Sequence, residues 1–235
     1  PQVFPVNQNH FVEQKSLSEQ LDKLLPKING GYLIVTGLPG SGKSTSLTMY
    51  FDAISSSIYE VFRYYCFVGV NDNAQRIRVQ AESLRANLLS EFQRRYPDVL
   101  KRRFDYSERN FYECLATLAK FFIGRGRRFI IFLDGLDHAE RLESEIRETV
   151  ISALPADVPD GVTIVVSTQE LHKWPHFLKR VRECQDSTIK MPLFSEVETQ
   201  DYLENKRGIS GLTHADIVDI HRKSEGLPLY LRYAA

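Results

Sequence analysis

Short apolar runs alternate along the chain with longer segments in which apolar residues recur every three or four positions. The short runs are rich in β-branched and aromatic residues, which is typical of buried strands, whereas the longer segments are typical of amphipathic helices. The runs that predict strands lie at 32–36, 59–70, 127–134, 161–168 and 187–193. Because strands that alternate with helices form βαβ units, we expect an α/β fold whose parallel five-stranded sheet is flanked by helices.

Capping residues and prolines set the expected bounds of the helices. Ser16 with Glu19 has the pattern of a capping box, and Ser107 has the pattern of an N-cap. Pro97 ends the helical spacing that begins near Ala74. The helices predicted in this way lie at 16–25, after the glycine-rich segment up to about 56, and at 74–96, 107–122 and 140–153, with a short one near Trp174 and Phe177.

The residues after 194 differ from the rest because their helical spacing is not interrupted by a strand pattern. Ser195 with Glu198 matches a capping box, and Thr213 with Asp216 resembles one. We therefore expect residues 1–194 to form the α/β domain and residues 195–235 to begin a small C-terminal helical subdomain. The chain opens without a Met and stops inside an apolar helical pattern, so we expect it to be a piece of a longer protein.

The composition argues against several classes of protein. Of the 235 residues, 43% are hydrophobic and 26% are charged, and the formal net charge is zero. The longest apolar runs have the length of strands, so we expect no membrane association. The balanced charge gives no general electrostatic support for a nucleic-acid partner. Three widely spaced cysteines without metal-site spacing favour reduced thiols in a cytoplasmic protein.

Two clusters of basic residues leave an alternative open. The first comprises Arg94, Arg95, Lys101, Arg102 and Arg103, and the second comprises Arg125, Arg127 and Arg128. They fit a nucleic-acid patch, but the interleaved Asp98, Asp105 and Glu108 favour solvated helix ends. One of these arginines is also a candidate arginine finger for a neighbouring subunit.

The segment after the first strand has the pattern of a phosphate-binding loop. Residues 37–45 read GLPGSGKST, which matches G-x-x-x-x-G-K-[ST] between a strand and a helix. Glycines let backbone N–H groups turn toward a phosphate, and the following helix N-terminus adds partial positive charge. We expect Lys43 to reach the outer phosphates and act in catalysis, and the Ser44 hydroxyl to hold Mg²⁺. The other loop residues expected to contact the nucleotide are Gly37, Pro39, Gly40, Ser41, Gly42 and Thr45.

This loop predicts binding of a nucleoside triphosphate, and a glycine-rich turn without function is the alternative. A buried strand ending in Asp134 supplies the partner that such a loop needs, at the edge where ligands bind in open α/β sheets. We expect Asp134 to hold Mg²⁺, and the alternative is a surface turn after a core strand. Asp137 is a candidate catalytic residue that orients the attacking water, or else the N-cap of the next helix. Ser167 and Thr168 end the following strand and are expected to contact the γ-phosphate, or else to cap a helix.

Four segments in order along the chain read GLPGSGKST, FIIFLDGLD, TIVVSTQE and SEGLPLYL. Together they resemble the STAND class of signalling ATPases, above all its NACHT branch, over nearly the whole chain. The resemblance implies ATP or ADP with Mg²⁺ as cofactors and self-association of the full-length protein. It also implies that Phe11 and Val12, before the first helix, and Pro228 of the Gly-Leu-Pro segment lie at the adenine. It is closest to prokaryotic STAND proteins, including those of antiviral defence.

The chain departs from the STAND pattern at three places. His138 replaces a Glu that follows the Asp-Gly-hydrophobic-Asp block, and Gln169 replaces an Arg that contacts the γ-phosphate. In the segment after Val12, the usual Gly-Arg-Glu is replaced by Glu-Gln-Lys. The first two changes remove charged groups that the resemblance implies for hydrolysis and for sensing the γ-phosphate.

Three functions are compatible with these patterns. The first is a regulatory ATPase in which ATP binding favours an open, oligomerising state. The second is a small-molecule kinase, because GLPGSGKST is also similar to the loops of such kinases. The third is a nucleotide-dependent scaffold without turnover, which His138 and Gln169 favour. The Asp-Gly-Leu-Asp block and the C-terminal helices favour the first, whose trigger and effector we expect in other parts of the full-length protein.

Overall fold

The computed structural model describes residues 4–54, 58–67, 69, 74–100 and 105–234. Its strands are β1 (Gly31–Thr36), β2 (Tyr59–Tyr65), β3 (Arg128–Asp134), β4 (Val162–Thr168) and β5 (Thr188–Lys190). They form one sheet in the order β2-β3-β4-β1-β5, and every pair in it is parallel. The expected α/β fold with a parallel five-stranded sheet is therefore confirmed.

Helices precede the first strand, connect the strands and follow the last one. They are α1 (Lys15–Leu24), α2 (Lys43–Ile54), α3 (Gln75–Arg78), α4 (Ala81–Arg95), α5 (Glu108–Ile123), α6 (Leu136–Glu140), α7 (His176–Arg182), α8 (Glu196–Asp201), α9 (His214–Ser224) and α10 (Pro228–Ala234). A π-helical turn at Tyr202–Lys206 continues α8. The capping boxes predicted at the starts of α8 and α9 are both formed, and Ser107 caps α5 as expected.

Two hydrophobic clusters lie on opposite faces of the sheet because successive side chains of a strand point to opposite faces. Leu33 and Val35 of β1 pack with α1 and α2, whereas Tyr32 and Ile34 pack with α4 and α5. β4 is buried along its whole length and β3 is buried after its first residue, since each lies between two other strands. This burial explains why both strands read as continuous apolar runs in the sequence.

The strand register brings three candidate segments to one edge of the sheet. Thr36, which ends β1, pairs with Thr168, and Asp134, which ends β3, pairs with Ser167. The phosphate-loop segment starts at the next residue, Gly37, whose N–H donates to the carbonyl oxygen of Thr168. The central strands therefore hold the loop, the acidic strand end and the hydroxyl strand end side by side.

Two of the helix predictions were wrong, and one interaction explains both. Gln80 pairs with Thr149 in an isolated antiparallel bridge, and the N–H of Val150 donates to the carbonyl oxygen of Val79. This pairing splits the segment expected as one helix over 74–96 into α3 and α4. It also holds residues 141–149 out of a helix, so the helix expected over 140–153 is replaced by turns and a 3₁₀ turn at Val150–Ala153. Tertiary hydrogen bonds thus override local helical spacing.

Three expected element bounds were also wrong. The strand expected over 187–193 is β5, which spans only Thr188–Lys190. Helix α1 begins before Ser16, because the N–H groups of Leu17 and Ser18 donate to the carbonyl oxygen of Gln14. Ser16 is therefore inside the helix and does not cap it. The strand expected over 59–70 ends at Tyr65, and residues 68 and 70 lie outside the described part of the chain.

A third, smaller cluster joins the N-terminal segment to the C-terminal helices. Val12 packs there with Phe194, Tyr202, Leu203 and Leu231. The division into residues 1–194 and 195–235 stays a prediction. Over the described ranges, no helix combines the length and the apolarity needed to cross a bilayer.

Candidate functional site

A cavity of about 650 Å³ lies beside the phosphate loop and the ends of β3 and β4. Its walls come from the N-terminal segment before α1, the start of α2, the segment after β3 and the start of α10. The predicted site residues that line it are Phe11, Val12, Pro39, Gly40, Gly42, Lys43, Ser44, Thr45, Asp134, Asp137, Ser167 and Pro228. Residues from distant parts of the chain thus converge on one volume.

Three predicted site residues do not line the cavity. Gly37 lies at the base of the loop, where an added methyl group would be 2.6 Å from Cβ of Met191. Ser41 and Thr168 are fully buried, and neither hydroxyl has a hydrogen-bond partner among the residues that the structure describes. The hydroxyl pair at the end of β4 is fully buried, and of the two residues only Ser167 lines the cavity.

Gly40 occupies a position that other residues fit poorly. Its φ of 75° lies in the left-handed region, and an added methyl group would be 2.6 Å from Cβ of Leu229. Its carbonyl oxygen accepts a hydrogen bond of 3.2 Å from the N–H of Leu229. The absence of a side chain at Gly40 therefore lets the first turn of α10 contact the phosphate loop directly.

The Lys43 ammonium group folds back over the loop. Its Nζ donates to the carbonyl oxygens of Gly37, at 2.8 Å, and of Leu38, at 2.9 Å. Burial lowers the pKa of Lys43, while the nearby carboxylates of Asp137 and Asp134 raise it. These two carboxylates and the loop carbonyls hold the ammonium group at the wall of the cavity.

Asp134 is the last residue of β3 and is only 2% exposed. Burial raises the pKa of Asp134 to about 6, an effect opposed by the neighbouring hydroxyls of Ser44 and Ser167 and by the charge of Lys43. Its Oδ1 has no hydrogen-bond partner among the described residues. A buried carboxylate oxygen of this kind, next to a serine hydroxyl, has the donor chemistry that a hard divalent cation prefers.

Asp137 is 5% exposed, and both of its carboxylate oxygens have partners. The guanidinium of Arg141 lies 2.8 Å from Oδ2, and the N–H of Gln169 donates to Oδ1 at 3.2 Å. Asp137 lies within α6, whose N-cap is Gly135, so it does not cap that helix. The ion pair fixes this carboxylate at the wall of the cavity.

His138 forms an aromatic pair with Phe67 at the same wall. The two rings are stacked, with centroids 4.4 Å apart and planes 7° apart. The Nδ1 atom of His138 lies 3.2 Å from the side-chain amide nitrogen of Gln75. Burial lowers the pKa of His138, against the raising effect of Asp137. The residue that replaces the expected Glu is thus held by a stacked ring and an amide.

Sequence reasoning missed a large part of the cavity wall. The additional lining residues include Phe4, Asn7, His10, Phe67, Phe194, Tyr202, Leu229 and Arg232. Residues 4–10 carry no motif, and their contribution depends on how the N-terminal segment crosses the sheet edge. Of these residues, Leu229 was the easiest to predict, because it directly follows the proposed adenine contact Pro228.

Residues 10–168, more than half of the chain, match the family described as nephrocystin 3, N-terminal. The chain belongs to the nephrocystin 3 N-terminal family. The matched range covers the phosphate loop, the strand that ends in Asp134 and the hydroxyl pair at the end of β4. No curated protein sequence matches the chain significantly.

Solved structures show that this nephrocystin 3 N-terminal chain has the fold of Walker-type ATPases. The Walker-type ATPase PABY2304 of Pyrococcus abyssi superposes with a TM-score of 0.59 at 15% identity, over 98% of this chain and 68% of that one. Cdc6p from Pyrobaculum aerophilum superposes with a TM-score of 0.52 at 14% identity, over 94% of this chain and 56% of that one. The chain therefore spans only part of each of these proteins, and at this identity the likeness concerns the fold.

Proposed function

We propose that this chain is the regulatory ATPase module of a larger signalling or defence protein of the STAND class. It binds ATP or ADP with Mg²⁺, hydrolyses ATP slowly, and changes its conformation and self-association with the nucleotide that is bound. The observation that carries this proposal is the convergence of the phosphate loop, Asp134, the N-terminal segment and Pro228 on one cavity. The P-loop fold and the family membership support it.

The phosphate end of the cavity is built from the loop and from the start of α2. Backbone N–H groups of the loop and the partial positive charge of the α2 N-terminus favour phosphate oxygens. The Lys43 ammonium group exchanges its two loop carbonyl partners for β- and γ-phosphate oxygens when a nucleotide binds. Both partners of Lys43 are neutral carbonyls, so charged phosphate oxygens replace them favourably.

Asp134 and Ser44 are the residues that would hold Mg²⁺. Among the described residues there is no group of three or more His, Cys, Asp or Glu side chains suited to a metal. The cation therefore depends on the nucleotide phosphates and on water for its remaining ligands, as Mg²⁺ in kinase and ATPase sites does. When bound, Mg²⁺ neutralises the charge of the β- and γ-phosphate oxygens.

Part of the cavity lining is apolar and suits a purine base. Phe11 and Val12 come from the N-terminal segment, Phe194 and Tyr202 from the segment around α8, and Pro228 from the start of α10. Val12, Phe194 and Tyr202 are more than nine-tenths buried and pack in the same small cluster. Apolar walls with few polar groups are typical of sites for nucleobases and other small ligands.

Contacts between the phosphate loop and the C-terminal helices support a nucleotide-dependent conformational change. The N–H of Leu229 donates to Gly40, and the N–H of Phe194 donates to the carbonyl oxygen of Gly226, which precedes α10. A ligand shifts a conformational equilibrium only through different interactions with the two states. A γ-phosphate bound at the loop would lie next to the hydrogen bond between Leu229 and Gly40. It would therefore change the interactions that hold α10 against the loop.

A scaffold that binds nucleotide without turnover is the second candidate. One observation favours it: the two carboxylate oxygens of Asp137 are already engaged by Arg141 and by the backbone of Gln169. A carboxylate whose two oxygens are both engaged is less free to orient an attacking water. Single-turnover hydrolysis assays separate this candidate from the slow ATPase.

We expect Asp134→Asn to weaken the response of ATP binding to Mg²⁺ while ADP binding without added Mg²⁺ is kept. The amide removes an anionic metal ligand but preserves the shape of the strand end. The measurement is the dissociation constant for ATP at increasing Mg²⁺, with the exposed Asp157→Asn as the matched control. An identical Mg²⁺ response in Asp134→Asn and the parent chain would contradict the assignment of Asp134.

We expect Pro228→Ala to weaken binding of ATP and of ADP by the same factor, about 3- to 10-fold, from lost apolar contact with the base. Pro26 is an exposed proline in another helical turn and does not line the cavity, so Pro26→Ala is the matched control. The measurement is titration calorimetry with both nucleotides. A loss confined to ATP would mean that Pro228 acts at the γ-phosphate and not at the base.

A further inference from the structure

The side chain of Gln14 joins three separate segments around the cavity. Gln14 is 2% exposed and follows the base-side residues Phe11 and Val12. Its Oε1 accepts a hydrogen bond of 2.8 Å from the hydroxyl of Ser46, and its Nε2 donates to the carbonyl oxygen of Pro192, also at 2.8 Å. Both ends of one buried amide are therefore satisfied by residues more than 30 positions away in sequence.

The Ser46 bond ties Gln14 to the phosphate end of the cavity. Ser46 lies in the first turn of α2, and its backbone N–H donates to the carbonyl oxygen of Gly42. A methyl group added at Gly42 would lie 3.9 Å from Oε1 of Gln14. The Gln14 amide is thus close to the phosphate loop itself.

The Pro192 bond ties Gln14 to the segment that leads into the C-terminal helices. Pro192 lies between β5 and α8, two residues before Phe194, which lines the base end of the cavity. Phe194 in turn donates its N–H to the carbonyl oxygen of Gly226, just before α10. A single side chain therefore connects the base-side segment, the phosphate-loop helix and the segment that carries Phe194.

We propose that Gln14 is a positioning residue that holds the base end of the cavity in register with its phosphate end. This inference rests on the proposed function, because it concerns how the same site binds a nucleotide. Gln14 itself is not among the residues that line the cavity, so it acts through the segments that it joins. A base and a triphosphate that are covalently linked gain affinity from each other only when both ends of the site are held at the matching separation.

The position requires an amide and not merely a filled volume. A leucine at position 14 would occupy similar space but would leave the Ser46 hydroxyl and the Pro192 carbonyl oxygen without their buried partner. Buried polar groups without partners destabilise the arrangement that buries them, so the three segments would separate to reach water. The phosphate loop would keep its own backbone contacts, which do not involve Gln14.

The test compares ATP with inorganic triphosphate as probes of the full chain with Mg²⁺. For Gln14→Leu we expect ATP affinity to fall about 10-fold while affinity for inorganic triphosphate stays within about 2-fold of the parent, because only the base end is displaced. The measured quantity is the affinity for ATP divided by the affinity for inorganic triphosphate. A merely structural role of Gln14 would weaken the binding of both ligands by the same factor and leave this ratio unchanged. Gln20→Leu is the matched control, because among the described residues the Gln20 side chain bonds only to Ser16 within α1.

Ser46→Ala is a second variant that tests the inference if Gln14→Leu does not fold. It removes the hydrogen bond between Ser46 and Gln14 and keeps the one between Gln14 and Pro192. We expect it to lower the same ratio by about 3-fold, and we expect no further loss when it is added to Gln14→Leu. An unchanged ratio in both variants, or equal losses for ATP and triphosphate, overturns the inference about Gln14. A folded parent that binds neither ligand overturns the proposed function, so the two failures are distinguishable.

Discussion

Lys43→Ala is expected to lower the affinity for ATP by about 100-fold. The ammonium group lies at the loop, 2.8 and 2.9 Å from two carbonyl oxygens, so little rearrangement is needed to reach phosphate oxygens. Charge-assisted hydrogen bonds to phosphate are worth about 1.5–3 kcal/mol each, and a fall of 2.7 kcal/mol corresponds to about 100-fold. Removing the ammonium group also leaves Asp134 and Asp137 without the nearby charge that stabilises them.

The measurement for Lys43→Ala is titration calorimetry with ATP at fixed Mg²⁺, on protein shown to be folded by circular dichroism. Lys27→Ala is the control, because Lys27 lies in an exposed surface pair with Asp186 and not at the cavity. We expect the control to bind ATP as the parent does. An unchanged affinity in Lys43→Ala would mean that residues 37–45 do not hold the phosphates.

Turnover by the isolated chain is expected to be at least about 10³-fold below the 1–100 s⁻¹ typical of kinases. Three features lead to this expectation. The Asp137 carboxylate is held by Arg141 and Gln169, His138 is stacked on Phe67 in place of an acidic residue, and Gln169 is uncharged. An arginine finger from a neighbouring subunit is alone worth about 10³–10⁵ in rate, so the lack of one in the isolated chain outweighs these three features.

Single-turnover hydrolysis on dilute and on concentrated samples checks this expectation. We expect a slow rate that rises with protein concentration, and we expect Asp137→Asn to lower the remaining rate without changing ATP affinity. Arg141→Lys, which keeps the charge beside Asp137, is the matched variant and should retain most of the rate. Fast hydrolysis that does not depend on concentration would mean that the site is complete in one chain, and it would remove the main support for an oligomerisation switch.

The phosphate loop and the acidic strand end were predictable because each is specified by residues that are adjacent in sequence. A buried parallel strand reads as a continuous apolar run, and the residue that follows such a run lies at the ligand-binding edge. Asp134 and Ser167 are therefore placed side by side by the register of β3 and β4. The different places of Ser167 and Thr168 were harder to predict, because both residues are fully buried and only Ser167 lines the cavity.

The parts that were missed depend on contacts between distant segments. The bridge between Gln80 and Thr149 interrupts two expected helices. No local sequence pattern predicts a pairing between residues so far apart in the chain. Gln14 begins α1 with its backbone while its side chain bonds elsewhere, so the nearby Ser16–Glu19 pattern was mistaken for the helix start. The burial of the Gln14 side chain cannot be predicted from a single sequence, because it depends on hydrogen-bond partners such as Ser46 that are distant along the chain.

The central claim is that one cavity holds the whole nucleotide, with the phosphates at the loop and the base against the apolar residues of the cavity wall. A crystal structure of the chain with ADP and Mg²⁺ tests it most directly. We predict that the phosphates lie against the backbone N–H groups of residues 40–44 and that the adenine lies between Phe11, Val12 and Pro228. ADP bound elsewhere on the chain, or a folded chain that binds no ADP at millimolar concentration, would contradict the claim.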